Sequence, residues 1–240
     1  MTELWAGAKQ VVKRAFFAPG TVRRCRVGPY AGIAFEMCPQ ILRTRMSIFY
    51  RAYEPEVSAL LTATVGAGET VYDVGAHVGI HALHAAKLVG ETGRVVAFEP
   101  WPENAAVLLR HVAHNPALAG RLVAVQASVG AQAGSSMMVE GGGDGQHRLS
   151  RADEPGAVNA SMVTLDRYVA DHPPEPSLIL VDVEGEELAV LTGAELLLQR
   201  TRPQLVLEHH GPELRAMLKS WLEARRYRVA DLGQRHLHAV

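Results

Sequence analysis

The stretch that most constrains this chain is VYDVGAHVGI, residues 71–80. In its first half Val71, Tyr72 and Val74 surround Asp73, the near-continuous apolar run of a strand buried on both faces. Its second half holds Gly75 and Gly79, spaced for a tight turn, and the Ala- and Leu-rich residues 81–89 predict a helix. Strand, glycine turn and helix in that order is how an α/β fold builds a nucleotide pocket at the carboxyl end of its first strand. The same turn also occurs as a plain strand-to-helix connection, so its meaning depends on the rest of the chain.

The rest repeats the rhythm. Residues 94–98 form a second short apolar strand that ends at Glu99, 104–114 a helix and 122–127 a third strand. Residues 178–183 read as a fourth strand, 186–199 as a helix, 204–208 as a fifth strand and 211–224 as another helix. Residues 227–230 and 235–239, on either side of Gly233-Gln234, read as a closing antiparallel hairpin. This alternation predicts an α/β, Rossmann-like domain with a mostly parallel sheet and helices on both faces. Upstream, residues 3–17 have the spacing of an amphipathic helix with Lys9, Lys13 and Arg14 on its polar face, stopped by Pro19-Gly20. Residues 21–27 and 33–37 predict a hairpin with a five-residue loop, and Glu54-Pro55-Glu56 opens a helix to residue 61. The expectation is one domain over 1–240: an appendage over 1–50 in front of an α/β core over 51–240. Residues 129–160 interrupt that core with many glycines and one short strand-like run, 136–140, an insertion of the functional or disordered kind.

Composition narrows the classes. The chain has 240 residues, 48% hydrophobic and 20% charged, enough to bury a full core. A formal net charge of −1 supplies no field for nucleic acid or an anionic membrane. Cys25 and Cys38 are too few for a disulfide framework. No apolar run approaches the about 20 residues of a membrane span, and the early acid and late basic residues are in the wrong order for a secretory signal. The expected location is therefore the cytoplasm. The N-terminal helix is expected to pack on its own domain or, as a homodimer contact, on a second copy.

The chemistry is carried by acids at strand ends: Asp73, Glu99, Asp182 and Glu208. A carboxylate at the end of a buried strand is costly unless paired, and these four converge on the crevice where α/β folds bind ligands. Glu99 lies 20 residues beyond Gly79, placed to accept hydrogen bonds from both ribose hydroxyls of a nucleoside. That spacing suits NAD, FAD and S-adenosylmethionine equally. The turn discriminates: Asp73 stands two residues before the first glycine, and His77 stands where a dinucleotide site has its second. An acid there repels a pyrophosphate and suits the ammonium and sulfonium groups of S-adenosylmethionine.

VYDVGAHVGIHAL, VVAFEPWPENAAVLLRHV, VTLDRYV, LILVDVEGEELAVLTGAELLL and RPQLVLEHH, in that order, resemble the FkbM family of S-adenosylmethionine-dependent methyltransferases. The resemblance implies the class I methyltransferase fold: a seven-stranded, mostly parallel sheet with one antiparallel strand near the C-terminus. It makes Asp73, Gly75, Ala76, His77 and Gly79 the cofactor loop and Glu99 the ribose ligand. Ser128 would lie by the adenine, Glu54 would face the methionine end, and Asp182, Glu184 and Gly185 would border the transferring methyl group. Two positions depart from the family pattern: His77 stands for the usual Asn, and Leu180 for the usual Lys two residues before the motif Asp.

The expected activity is methyl transfer from S-adenosylmethionine, leaving S-adenosylhomocysteine, to a hydroxyl of a sugar, natural product or other small molecule. A hydroxyl acceptor needs a base, and Asp182 leads the candidates by position, followed by His209, His210 and Glu208. N-methylation of an amine or peptide, an NAD-type oxidoreductase and a non-catalytic cofactor-binding protein remain open. A divalent cation held by Asp182, Glu184 and Glu208 is the less favoured arrangement. His77, His81 and His84 read as core or surface histidines and not as metal ligands. The acceptor pocket is expected from the segments that vary most in character: residues 1–50, the 139–160 loop and the chain after Glu208. These include Arg43, Arg45 and Arg51 beside Phe49, Tyr50 and Tyr53.

Overall fold

The computed structural model describes residues 17–140, 147–150 and 154–240, apart from the side chains of Arg45, Met46, His147 and Leu149. The helix expected over 3–17, except Phe17, and the glycines of 141–145 lie outside the described residues. In chain order the elements are β1 (Val22–Arg24), β2 (Ala34–Glu36), α1 (Pro39–Tyr50), α2 (Pro55–Thr64), β3 (Thr70–Val74), α3 (Ile80–Leu88), β4 (Arg94–Phe98), α4 (Pro102–Ala113), α5 (Pro116–Ala119) and β5 (Leu122–Val125). They continue with β6 (Ser128–Val129), β7 (Gly134–Glu140), β8 (His147–Leu149), β9 (Val158–Val163), α6 (Leu165–Asp171), β10 (Leu178–Val181), α7 (Glu187–Thr192), α8 (Glu195–Thr201), β11 (Gln204–Glu208), α9 (Pro212–Glu223), β12 (Val229–Leu232) and β13 (His236–Ala239).

Seven strands form one sheet in the order β12-β13-β11-β10-β3-β4-β5. Strands β3, β4, β5, β10 and β11 are parallel, and β13 runs antiparallel to both β11 and β12. This is the sheet expected from the strand rhythm and the closing hairpin. Alternate residues feed two cores. Val71, Val95, Ala97, Leu178, Leu180 and Val206 face one layer, with α2, α3 and α4. Tyr72, Val74, Val96, Phe98, Ile179, Val181, Leu205 and Leu207 face the other, with α6, α7, α8 and α9. The order reverses between β3 and β10, which opens a crevice at their carboxyl ends.

Four expectations change. The segment read as an appendage contributes to the main core, where Tyr30, Phe35, Met37, Ile41 and Ile48 are all fully buried in the first layer. The helix α1 over residues 39–50 has no counterpart in the sequence reading. The described residues of the insertion extend the expected 136–140 strand into a second sheet: β6, β9, β7 and β8 pair in that order, and β7 contains residues 136–140. The helix expected over 186–199 is interrupted at Gly193, where a Cβ would lie 2.0 Å from the Gly130 carbonyl oxygen and only glycine fits. Asp166 restarts it as α8 by accepting from the backbone N–H groups of Leu196 and Leu197, at 3.1 and 2.7 Å.

Candidate functional site

The carboxyl ends of β3, β4, β10 and β11 surround a cavity of about 480 Å³. Parallel register sets Val74 beside Val181 and Val181 beside Leu207, so the next residues, Gly75, Asp182 and Glu208, become neighbours. Asp182 donates its backbone N–H to the Val74 carbonyl at 2.9 Å. Gly75 has a φ of +88°, and a Cβ on it would lie 1.7 Å from the Asp182 carbonyl oxygen. Only a glycine lets the two strand ends approach this closely.

The turn then folds over β4. Gly75 and Ala76 both donate to the Phe98 carbonyl, at 3.0 and 2.9 Å. His77 takes a φ of +52°, the left-handed conformation a glycine would adopt without strain. Its N–H donates to Glu99 Oε2 at 2.8 Å, and the N–H of Trp101 donates to Glu99 Oε1 at 2.9 Å. Burial nonetheless pushes the Glu99 carboxyl up to about 7, against these two bonds and a third from the Asn104 side chain. Asp73 is buried, and burial raises it to about 6. Its Oδ2 has no hydrogen-bond partner. Val74, Phe98, Pro100, Ala127, Val129 and Met138 give the cavity an apolar side beyond Glu99, and Ser128 lines it as well. The Ser128 hydroxyl is already engaged with that of Ser136, at 2.8 Å.

The opposite wall is charged. Glu54 does not cap α2: its side chain makes no capping bond and turns into the cavity. His81 Nε2 donates to Glu54 Oε2 at 2.9 Å, and Arg235 Nη2 donates to Glu54 Oε1 at 3.2 Å. Burial alone would raise Glu54, but His81, His236 and Arg235 outweigh it and hold the carboxyl below its ordinary value. Arg235 Nη2 also lies 2.9 Å from Glu208 Oε1. Burial and then the neighbouring Asp182 carboxylate push Glu208 up to about 8. His210 sits 3.6 Å from Asp182 Oδ1, 3.6 Å from Glu184 Oε2 and 3.6 Å from Glu187 Oε1. Its pairing with Asp182, helped by Glu184 and Glu208, raises the ring to about 9 against the opposing effect of burial.

The structure thus brings Glu54, Gly75, His77, Glu99, Ser128, Asp182, Glu184 and Glu208 to one cavity. Asp73 and Ala76 line a smaller recess of about 50 Å³ that shares Gly75, His77 and Asp182 with it. Gly79 caps α3 behind the turn, and Gly185 extends the Asp182 turn without lining the cavity. His209 is not brought to the site; its N–H donates to the Arg235 carbonyl at 2.8 Å and its ring is absent from the cavity lining. His84 is buried edge-on against Tyr30, His81 serves Glu54, and neither joins a group of three candidate ligands among the described residues. Two such groups exist: Asp182, Glu208 and His210, and Glu54, Glu208 and His236, each with ligand atoms within 4.8 Å of one another. Either could receive a cation, although Glu208 already holds Arg235.

The segments 1–50 and beyond Glu208 were expected at the pocket, but the sequence did not single out Gln40 and Thr44, which with Arg43 line the cavity from α1, or Arg235, or Glu187 behind the lining. Phe49 and Tyr50, expected at the acceptor pocket, do not line it; Phe49 packs on Phe17 and Phe35 in the core. The last acid of the Asp-Val-Glu-Gly-x-Glu run was a signal for Glu187. Nothing local marks Arg235, which enters from a hairpin turn.

A mostly parallel sheet with a reversal at its centre and a pocket at that reversal is the Rossmann-like architecture that class I methyltransferases share. The chain belongs to the FkbM family of these S-adenosylmethionine-dependent enzymes: residues 73–229 match the Methyltransferase FkbM domain. It is 25% identical over 209 residues to the hexuronic acid methyltransferase AglP of Haloferax volcanii, covering 86% of this chain and 83% of that protein. In fold it is similar to methyltransferase FkbM of Methylobacillus flagellatus, with a TM-score of 0.54 and 19% identity over 72% of this chain; it spans 43% of that chain's length. It is also similar to an S-adenosylmethionine-dependent O-methyltransferase of Thermotoga maritima, with a TM-score of 0.51 and 12% identity over 92% of this chain and 77% of that one. Among the described residues no helix is long and apolar enough to cross a membrane.

Proposed function

We propose that the chain methylates a hydroxyl of a sugar-like small molecule, with Asp182 as the base. The observation that carries this is Asp182 at the meeting of the turn and the charged wall, beside Gly75, Glu208 and His210. The hexuronic acid named for AglP supports a sugar as the acceptor class.

The residues fit the cofactor on three counts. Gly75 leaves a cradle that a Cβ would fill. Glu99 presents two carboxylate oxygens, each fixed by one backbone N–H and the carboxyl further held by the Asn104 side chain, with acceptor capacity left for a ribose hydroxyl. The orphaned buried Oδ2 of Asp73, with Glu54 nearby, suits a cationic methionine end. When bound, S-adenosylmethionine supplies an electrophilic methyl on a sulfonium whose departure leaves a neutral thioether. The protein's share is to hold the acceptor oxygen in line with that methyl and to remove its proton. Asp182 takes this proton. Pairing with Asp182, 3.6 Å away, favours the protonated form of His210, which steadies the Asp182 carboxylate instead of competing with it. Neither His209 nor His210 lines the cavity, but His210 lies 3.6 Å from Asp182, whereas the His209 backbone is tied to Arg235 and no ion pair joins its ring to these acids among the described residues.

The test is methyl transfer to a methyl glucuronoside and to the matching glucoside, read as the mass gain of one methylene in the product. A gain that survives alkali marks an ether on a hydroxyl and supports the reading. A gain that alkali removes marks a carboxyl ester, and it overturns the reading, as does no gain on either sugar.

A further inference from the structure

Glu187 opens α7 and is wholly buried. A carboxylate removed from water is costly unless its lone pairs are met. Oε1 accepts from the backbone N–H of Gly185 at 3.1 Å and of Val183 at 3.4 Å. Those bonds close the turn over residues 182–185, in which Glu184 holds a φ of +55° and Gly185 one of +106°. A glutamine oxygen would satisfy the same two donors without a buried charge, so the turn alone does not account for a carboxylate. Burial raises the Glu187 carboxyl above its ordinary value and leaves Oε2 without a partner among the described residues. The two N–H groups and His210, whose Nε2 lies 3.6 Å from the same Oε1, act in the opposite sense and favour the carboxylate. That nitrogen is also 3.6 Å from Asp182 Oδ1, so one imidazole ring bridges the buried acid and the acid that faces the cavity.

We propose that Glu187 is a positioning residue for methyl transfer: its carboxylate fixes the 182–185 turn and the His210 ring together, and His210 in turn aims Asp182 at the acceptor. This rests on Asp182 being the base. Glu187 does not line the cavity, so it acts through these partners alone. The charged groups around His210 are Asp182 and Glu184 from the turn, Glu187 from α7 and Glu208 from β11, the last tied to Arg235.

The experiment compares the wild type with Glu187→Gln, which keeps an oxygen for the two N–H groups, removes the charge and puts an amide NH2 in place of the unpartnered Oε2. The His210 ring is titrated by NMR in the ligand-free protein. S-adenosylmethionine affinity is measured by calorimetry, and kcat and KM are measured on the methyl glucuronoside across pH. The expected result is a His210 pKa below the wild-type value and a basic limb of kcat displaced the same way. With these come a kcat lower by about 10- to 100-fold and an unchanged cofactor affinity and KM. A wild-type His210 titration and pH profile in Glu187→Gln overturns the proposal, whatever happens to thermal stability. If Glu187→Gln does not fold, His210→Gln decides: it leaves the turn's bonds intact and must lower kcat with cofactor affinity unchanged, and a wild-type kcat overturns the proposal. Loss of cofactor binding by the wild type would instead refute the functional reading, and the ring titration remains readable in that case.

Discussion

The two ends of the cavity are built by different means. At the β3–β4 end, backbone does the shaping: glycine without a Cβ, a histidine in a left-handed conformation, and N–H groups that close on one carboxylate. At the β10–β11 end the backbone turn is simpler and the shaping comes from side-chain charge, with Asp182, Glu184, Glu187 and Glu208 balanced by His210 and Arg235. A site of the first kind fails when atoms are added. One of the second kind fails when charge is moved, by substitution or by pH.

Gly75→Ala is the severest test of the first kind. The added Cβ meets a backbone carbonyl at 1.7 Å from a positive φ, where nothing flexible can yield. The expected loss is about 3 kcal/mol or more in chemical denaturation, with cofactor binding abolished. Near-normal stability would mean the two strand ends are not so tightly apposed.

Asp182→Asn moves charge and almost no volume. On this account kcat falls by about 100-fold or more while the melting temperature and cofactor affinity stay close to wild type. A variant that loses cofactor binding in proportion to its rate would place Asp182 on the cofactor and not on the acceptor.

The charged end also sets the response to pH. A group whose pKa is higher in the fold than in the unfolded chain contributes stability that is lost as pH climbs through the folded value. Glu99 at about 7, Glu208 at about 8 and His210 at about 9 are all raised. Buried histidines such as His84, lowered to about 4, act in the opposite sense, but only on acidification below the ordinary imidazole range. Melting temperature of the ligand-free protein should therefore fall steadily between about pH 6.5 and 9. A flat profile over that window would contradict the cluster as described.

His77→Ala is the mildest. It removes a side chain from the cavity and retains the backbone N–H that holds Glu99. Cofactor affinity should weaken by about fivefold, the worth of one ordinary contact, with the fold intact. Unchanged affinity would show that only the backbone at this position matters.

The backbone-built end was the more legible in sequence, because a glycine turn after an apolar run and an acid at a fixed distance are local patterns. Asp182 and Glu208 were legible for the same reason: each ends an apolar strand. Their partners were not. Arg43 and the segments 1–50 and beyond Glu208 were expected at the acceptor pocket, but the sequence did not show that Arg235 would come from a hairpin at the edge of the sheet or Gln40 and Thr44 from a helix beside Arg43. Periodicity shows that Tyr30, Phe35 and Ile41 want burial but not which surface buries them. The interruption at Gly193 was hidden because its close neighbour is the Gly130 carbonyl, 63 positions away in the chain.

The central claim is that this cavity holds S-adenosylmethionine with its ribose on Glu99. Calorimetric titration of S-adenosylmethionine and of NAD into the wild type and Glu99→Gln tests it most directly. The account predicts one S-adenosylmethionine site in the wild type, no NAD binding, and affinity weakened by about 10- to 100-fold in Glu99→Gln, as expected for lost bonds to a charged acceptor. NAD binding in place of S-adenosylmethionine, or full S-adenosylmethionine affinity in Glu99→Gln, would contradict it.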